Sequence, residues 1–197
     1  MNYLKRANTY LSLMEEVYGA REDSELLSEQ VEKLVKKGMK ALDMGAGSGV
    51  IVESLLKKTK NVTGADINPY AVEHCRKSYP EAEFVQSDLF SNINEKYDVI
   101  TFNPPYLPEM ESEDLETALQ VSGGPAGYEL LLKFLEQAKN YLKKDGFIIT
   151  VFSTLTKPNK VFKKTSKLGY EHEVLEKKKA FFEELYCVSF SLKNKNA

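Results

Sequence analysis

The sequence predicts an α/β protein, a sheet with crossover helices. From about Met39 onward, short apolar runs rich in β-branched and aromatic residues alternate with segments whose apolar residues recur at helical spacing. Glycines and aspartates gather where the strand-like runs end, as expected of turns that lead from strands into helices.

In chain order the strands are "MKALDMG", "NVTGAD", "AEFVQSD", "YDVITFN" and "GFIITVF". Helical periodicity covers 50–58, 70–79 and 128–143. In the last of these, Leu130, Leu131, Phe134, Leu135, Ala138, Tyr141 and Leu142 form one stripe, and Gly146 follows a lysine-rich final turn. A helix is expected near 157–167, then two alternating runs, "GYEHEVLE" and "LYCVSFSL", able to pair as an antiparallel edge hairpin. Between them the polar "KKKAFFEE", with Lys177, Lys178 and Lys179, reads as a solvated loop. The "KNKNA" tail reads as frayed.

With 42% hydrophobic residues in 197, the chain supports one domain spanning 1–197: an N-terminal helical segment, 1–38, and a core, 39–192. A net charge of −2 supplies no global positive field, which argues against nucleic acid and anionic membrane as partners. Cys75 and Cys187 form no CxxC pair and sit near no zinc-type cluster, so no metal is expected and a reducing compartment fits. The start lacks the features of a secretory signal and no apolar run is long enough to span a bilayer, so the expected location is the cytoplasm.

"DMGAGSG", Asp43 to Gly49, closes the first strand and opens a helix, where glycines permit a tight turn and close approach of backbone to ligand. The dinucleotide fingerprint GxGxxG does not fit, because the third glycine is Gly49 and valine follows it. Asp43, just ahead of the loop, suits a cationic or amino-bearing ligand better than a pyrophosphate. Asp66 ends the second strand 17 residues beyond Gly49, where a carboxylate can accept both ribose hydroxyls. Asp88, at the end of the third, can accept from an exocyclic adenine amine. Each acid alone reads as a helix cap or turn former. Three at consecutive strand ends, beside a glycine loop, describe a nucleoside site.

"DMGAGSG", "GADINPYAVEHCR", "QSDLF" and "NPPY", in this order and spacing, resemble the class I methyltransferases that use S-adenosylmethionine. The resemblance covers nearly the whole chain. It implies a Rossmann-like, seven-stranded, mostly parallel sheet with an antiparallel C-terminal strand and helices on both faces. It also implies cofactor contacts along Asp43, Gly45, Ala46, Gly47 and Gly49, at Asp66 and Ile67, along Ser87, Asp88 and Leu89, and at Asn103. Gly45 and Gly47 fall near the methionine part, Asp66 at the ribose and Asp88 at the adenine.

Asn103, Pro104, Pro105 and Tyr106 follow the fourth strand. Two prolines remove two N–H donors, so this turn displays acceptors. The Asn103 side-chain oxygen and the Pro104 carbonyl can each accept from one N–H of a planar NH2 group, and Tyr106 offers a flat face against it. Two such bonds hold a poor nitrogen nucleophile in line with an electrophilic methyl group. A clamp of this kind serves glutamine, adenine, cytosine or guanine equally.

"VYGAREDSELL", which holds Glu22-Asp23-Ser24, and "SGGPAGYELL" are similar to the glutamine methyltransferases that modify the GGQ loop of translation release factors. The closer similarity is to the short archaeal and eukaryotic branch. Ala20 stands where that family has proline, and Ala126 where bacterial members often have aspartate. The resemblance implies a release factor as substrate and a small zinc-binding activator paired with a sheet edge, for which "EAEFVQS" is the expected strand. The acidic segment 107–121 reads as a substrate lid or a solvated stretch whose charge would repel a phosphate backbone. Alternatives are an amino methyltransferase acting on RNA or DNA, methylation of lysine, and a non-catalytic subunit that keeps the fold. His74 and His172 read as ordinary, because methyl transfer to a clamped amide needs no tuned base.

Overall fold

The computed structural model describes residues 22–106, 122–179 and 183–193. Helix α1 (Glu22–Leu34) carries Glu22, Asp23 and Glu25 in its first turn and Lys33 in its last, a distribution that complements the helix dipole. Then come β1 (Lys40–Met44), α2 (Val50–Leu56), β2 (Asn61–Asp66), α3 (Pro69–Ser78), β3 (Glu83–Gln86) and β4 (Tyr97–Phe102). After residues 107–121 follow α4 (Glu129–Ala138), β5 (Leu142–Ser153), a 3-10 turn at Thr154–Thr156, α5 (Pro158–Lys167), β6 (Tyr170–Lys179) and β7 (Glu184–Leu192).

The strands form one seven-stranded sheet in the order β3-β2-β1-β4-β5-β7-β6. Strands β1 to β5 are parallel, and β7 runs antiparallel between β5 and β6. The chain steps from β1 outward to β3, then returns to the far side of β1 for β4. This reversal opens a crevice at the carboxyl ends of β1 and β4.

Alternation along the strands divides the core between two faces. Ala41, Val62, Val99, Ile149 and Val151 pack under α1, α2 and α3 through Leu26, Leu27, Val31, Val52, Leu55 and Cys75. Leu42, Met44, Ile100 and Phe102 pack under α4 and α5 through Leu131, Phe134, Leu135 and Val161. On this second face the rings of Tyr141, Phe90, Phe134 and Phe102 form a row with centroids 4.6, 5.4 and 4.4 Å apart. Aromatic pairs of this kind contribute about 0.5–1.5 kcal/mol each beyond burial. Phe102 is the last residue of β4, so the row fixes the direction in which Asn103 leaves the sheet.

The expected strands and crossover helices are present, and the terminal hairpin forms with β6 outermost. Two boundaries differ. The helix expected over 128–143 ends at Ala138, because Tyr97 donates its N–H to the Tyr141 carbonyl at 2.8 Å and pairs with Leu142, drawing that stretch into the sheet. Lys177, Lys178 and Lys179 are not loop residues but the end of β6, paired with Tyr186, Leu185 and Glu184. Cross-strand pairing of Lys177 with Glu184 and Tyr186, and the contact of Lys178 with Glu25 on α1, hold them there. The segment 107–121 and the N-terminal residues 1–21 lie outside the described residues. Among the described residues no helix is long and apolar enough to cross a membrane.

Candidate active site

The crevice is lined by the ends of four adjacent strands. After β1 the chain turns through Gly45, Gly47 and Gly49, all with positive φ. The amides of Gly45 and Ala46 donate to the Ala65 carbonyl at 2.7 and 3.0 Å, tying the loop to the end of β2. Gly49 cannot be replaced freely. Its φ is +90°, and a Cβ there would lie 2.3 Å from the Tyr79 ring.

Asp43, in β1, is buried. Its Oδ1 accepts from the Thr101 hydroxyl of β4 at 2.7 Å, while Oδ2 is enclosed with no hydrogen-bond partner among the described residues. Burial pushes its carboxyl up to about 7; the Thr101 bond opposes this and the nearby charge of Asp66 adds to it. An unpaired, buried carboxylate oxygen beside a glycine loop is a place for a cation or an amino group.

Asp66 is half-buried at the end of β2. Its Oδ2 accepts from the Gly47 amide and its Oδ1 from the Asn68 amide, each at 2.8 Å. One carboxylate thus joins the glycine loop to the start of α3, where Asn68 caps the helix through the Tyr70 amide at 3.0 Å and Pro69 opens it. Burial raises the Asp66 pKa and its backbone hydrogen bonds oppose the shift. Next to it Ile67 is 61% exposed, an apolar surface in position to meet a flat ligand.

Beyond β3, the buried Ser87 hydroxyl donates to the Leu89 carbonyl at 2.6 Å and accepts from the Asn92 amide at 3.0 Å. Leu89, with φ 46°, is held in the left-handed region by this turn. Asp88 points outward, with Lys133 of α4 at 3.9 Å.

At the end of β4, Asn103 Nδ2 donates to the Ser24 hydroxyl of α1 at 3.1 Å. Asn103 Oδ1 is enclosed and has no hydrogen-bond partner among the described residues. Pro104 is buried, Pro105 is half-buried, and Tyr106 packs against both core faces. Gly123 lies against the turn: a Cβ there would be 2.4 Å from the Gly127 carbonyl and 2.8 Å from that of Pro105.

Asp43, the glycine loop, Asp66, Ser87 to Leu89 and Asn103 to Tyr106 therefore all lie at the carboxyl ends of neighbouring strands. Thr101, Ser24 and Gly123 had no assigned role from sequence. Thr101 could have been found from strand alternation, which puts it in register with Asp43. Among the described residues no group of acids, cysteines and histidines is arranged to hold a metal.

The methyltransferase small domain family matches residues 21–182. The chain belongs to that family. A protein of Methanocaldococcus jannaschii that carries the provisional name protein N5-glutamine methyltransferase is 39% identical to this methyltransferase over 186 residues, covering 91% of this chain and 93% of its own length. The release factor glutamine methyltransferase of Koribacter versatilis is 32% identical over 146 residues, 66% of this chain and 52% of that one. The methyltransferase thus spans about half the length of such bacterial relatives. Among solved structures, a chain of the E. cuniculi Mtq2–Trm112 complex, described as methylating the eRF1 translation termination factor, matches with a TM-score of 0.73 and 26% identity over 89% of this chain and 98% of that one.

Proposed function

We propose that this methyltransferase uses S-adenosylmethionine to methylate N5 of the glutamine in the GGQ motif of a translation release factor, in the cytoplasm. The observation that carries the reading is the enclosed Asn103 Oδ1 at the end of β4, an acceptor for an N–H that none of the described residues supplies. The names of the relatives support the choice of glutamine.

The donor fits the residues present. The orphaned Asp43 Oδ2 suits its ammonium group, Asp66 retains lone pairs for ribose hydroxyls, Ile67 offers apolar surface to the base, and the exposed Asp88 carboxylate can accept from its amine. When bound, S-adenosylmethionine supplies a methyl group on a sulfonium centre, ready for displacement. Asn103 Oδ1 and the Pro104 carbonyl accept the two N–H bonds of the substrate carboxamide and so aim its nitrogen. As that nitrogen gains positive charge, both bonds strengthen. Tyr106 stacks on the amide plane, and water takes the released proton.

We also infer a small zinc-binding activator on the free edge of β3, the outermost strand on that side of the sheet. That the E. cuniculi relative was solved in complex with Trm112 supports a protein partner. Side chains already occupy two edge carbonyls, Arg76 on Phe84 at 2.7 Å and Asn92 on Gln86 at 2.8 Å, so a docking strand meets mainly N–H groups or displaces them.

The test is transfer of labelled methyl, with and without such a partner, to a release factor carrying GGQ, to its GGA variant and to bulk tRNA. Label on GGQ alone is the expected result. Label on tRNA, or on GGA as strongly as on GGQ, would move the clamp to a base or to a different side chain.

A further inference from the structure

We propose that Ser24 is a positioning residue, whose hydroxyl holds the Asn103 carboxamide with Oδ1 turned toward the methyl-acceptor nitrogen. The proposal rests on the clamp reading of Asn103 given above.

Terminal torsions of asparagine are broad, so an amide held by nothing interchanges its oxygen and its NH2 group. Here the two ends differ. Nδ2 is bonded to the Ser24 hydroxyl across 79 residues of sequence, at 3.1 Å, and Oδ1 is enclosed and unpaired. A hydroxyl can serve an amide as donor or as acceptor. Only when it accepts does the amide oxygen, rather than a second set of N–H groups, face the site. With the amide reversed, an N–H of the substrate would meet an NH2 group and find no acceptor.

Ser24 is itself held firmly. Its amide donates to Asp23 Oδ1 at 2.6 Å, and Asp23 is buried. Over the next two turns of α1, Leu26, Leu27 and Val31 are buried in the core. On the same helix Lys33 and Gln30 both reach Glu176 of β6, and Glu25 meets Lys178 at 3.2 Å. A helix outside the sheet is thus fastened at several points, and its first turn delivers one hydroxyl to the residue that ends β4.

Two readouts test this, one without any substrate. In Ser24→Ala, the Asn103 side-chain NH2 resonances, assigned by their loss in Asn103→Asp, move upfield and exchange faster with water. In the same variant kcat at saturating donor and acceptor falls by about tenfold to thirtyfold, while the donor Kd from calorimetry stays within about twofold. Ser24→Thr, which keeps the hydroxyl, recovers both the resonance positions and most of the rate. Unmoved NH2 resonances in Ser24→Ala would overturn the proposal, as would an unchanged kcat or a loss of rate that Ser24→Thr fails to recover. Failure of the glutamine reading appears separately, as a parent enzyme that leaves GGQ unlabelled, and does not affect the NH2 readout.

Discussion

The Thr101 hydroxyl donates to one carboxylate oxygen of Asp43 at 2.7 Å, leaving the other enclosed and unpaired. One neutral hydrogen bond does not offset the burial of a carboxylate, which is why this acid holds its proton up to about 7 instead of the ordinary 3.8. Between those values the folded protein binds a proton that the unfolded chain does not. Stability therefore falls as pH rises and is lowest above about 7. Thermal melts of the ligand-free protein should show a higher Tm at about pH 5.5 than at about pH 8, with Asp43→Asn flattening the difference. Equal melts at both values in the parent would dismiss this account of Asp43.

The same proton bears on ligand binding. An ammonium group beside Asp43 favours the ionised carboxylate, so donor binding expels the proton at low pH. Affinity should rise from about pH 6 to pH 7 and level off above, by up to about tenfold per unit. Calorimetry in two buffers of different ionisation enthalpy counts the released proton directly. A Kd independent of pH in this range would place the ammonium elsewhere.

Asn103→Ala should abolish measurable turnover and leave donor affinity within about 0.5 kcal/mol, because in the proposed clamp the amide oxygen holds the acceptor nitrogen and not the donor. Single-turnover assays with a GGQ substrate, beside calorimetry with the donor, make the comparison. Wild-type turnover in this variant would remove Asn103 from the clamp.

Asp66→Ala removes the acceptors of both the Gly47 and Asn68 amides and, on the proposed reading, those of the donor's ribose hydroxyls. Donor affinity should weaken by about 1.5–3 kcal/mol, the range for hydrogen bonds to a charged group. An unchanged dissociation constant would exclude Asp66 from the donor site.

Gly123→Ala forces a Cβ to within 2.4 Å of one carbonyl and 2.8 Å of another, and neither can swing away as a side-chain tip would. The expected cost is about 1–3 kcal/mol of stability from overpacking. Because one of those carbonyls belongs to Pro105, kcat should fall further than the stability loss explains, with donor affinity intact. Denaturant unfolding and kcat, measured on the same preparation, separate the two effects. An unperturbed kcat would detach the Gly123 loop from the clamp.

Much of this site was legible in one dimension because strand ends converge. Asp43, Gly45 to Gly49, Asp66 and Asn103 are all local signals, turn residues closing apolar runs, and a parallel sheet brings such ends together whatever lies between. What escaped was set by long-range contact. Leu142 continues the apolar stripe of α4 perfectly well, yet pairing with Tyr97 makes it a strand residue. Lys177 to Lys179 look like a loop until β7 lies beside them.

Sequence alone determined the α/β class, the order of elements, the glycine turn and which acids, amide and prolines close the strands, because these follow from local periodicity and turn chemistry. Only the tertiary structure decided which oxygen of Asp43 is left unpaired, that Ser24 reaches Asn103, and that Gly123 backs Pro105. Those relations join residues far apart in the chain, and burial, hydrogen bonding and close backbone approach exist only once the sheet has gathered them.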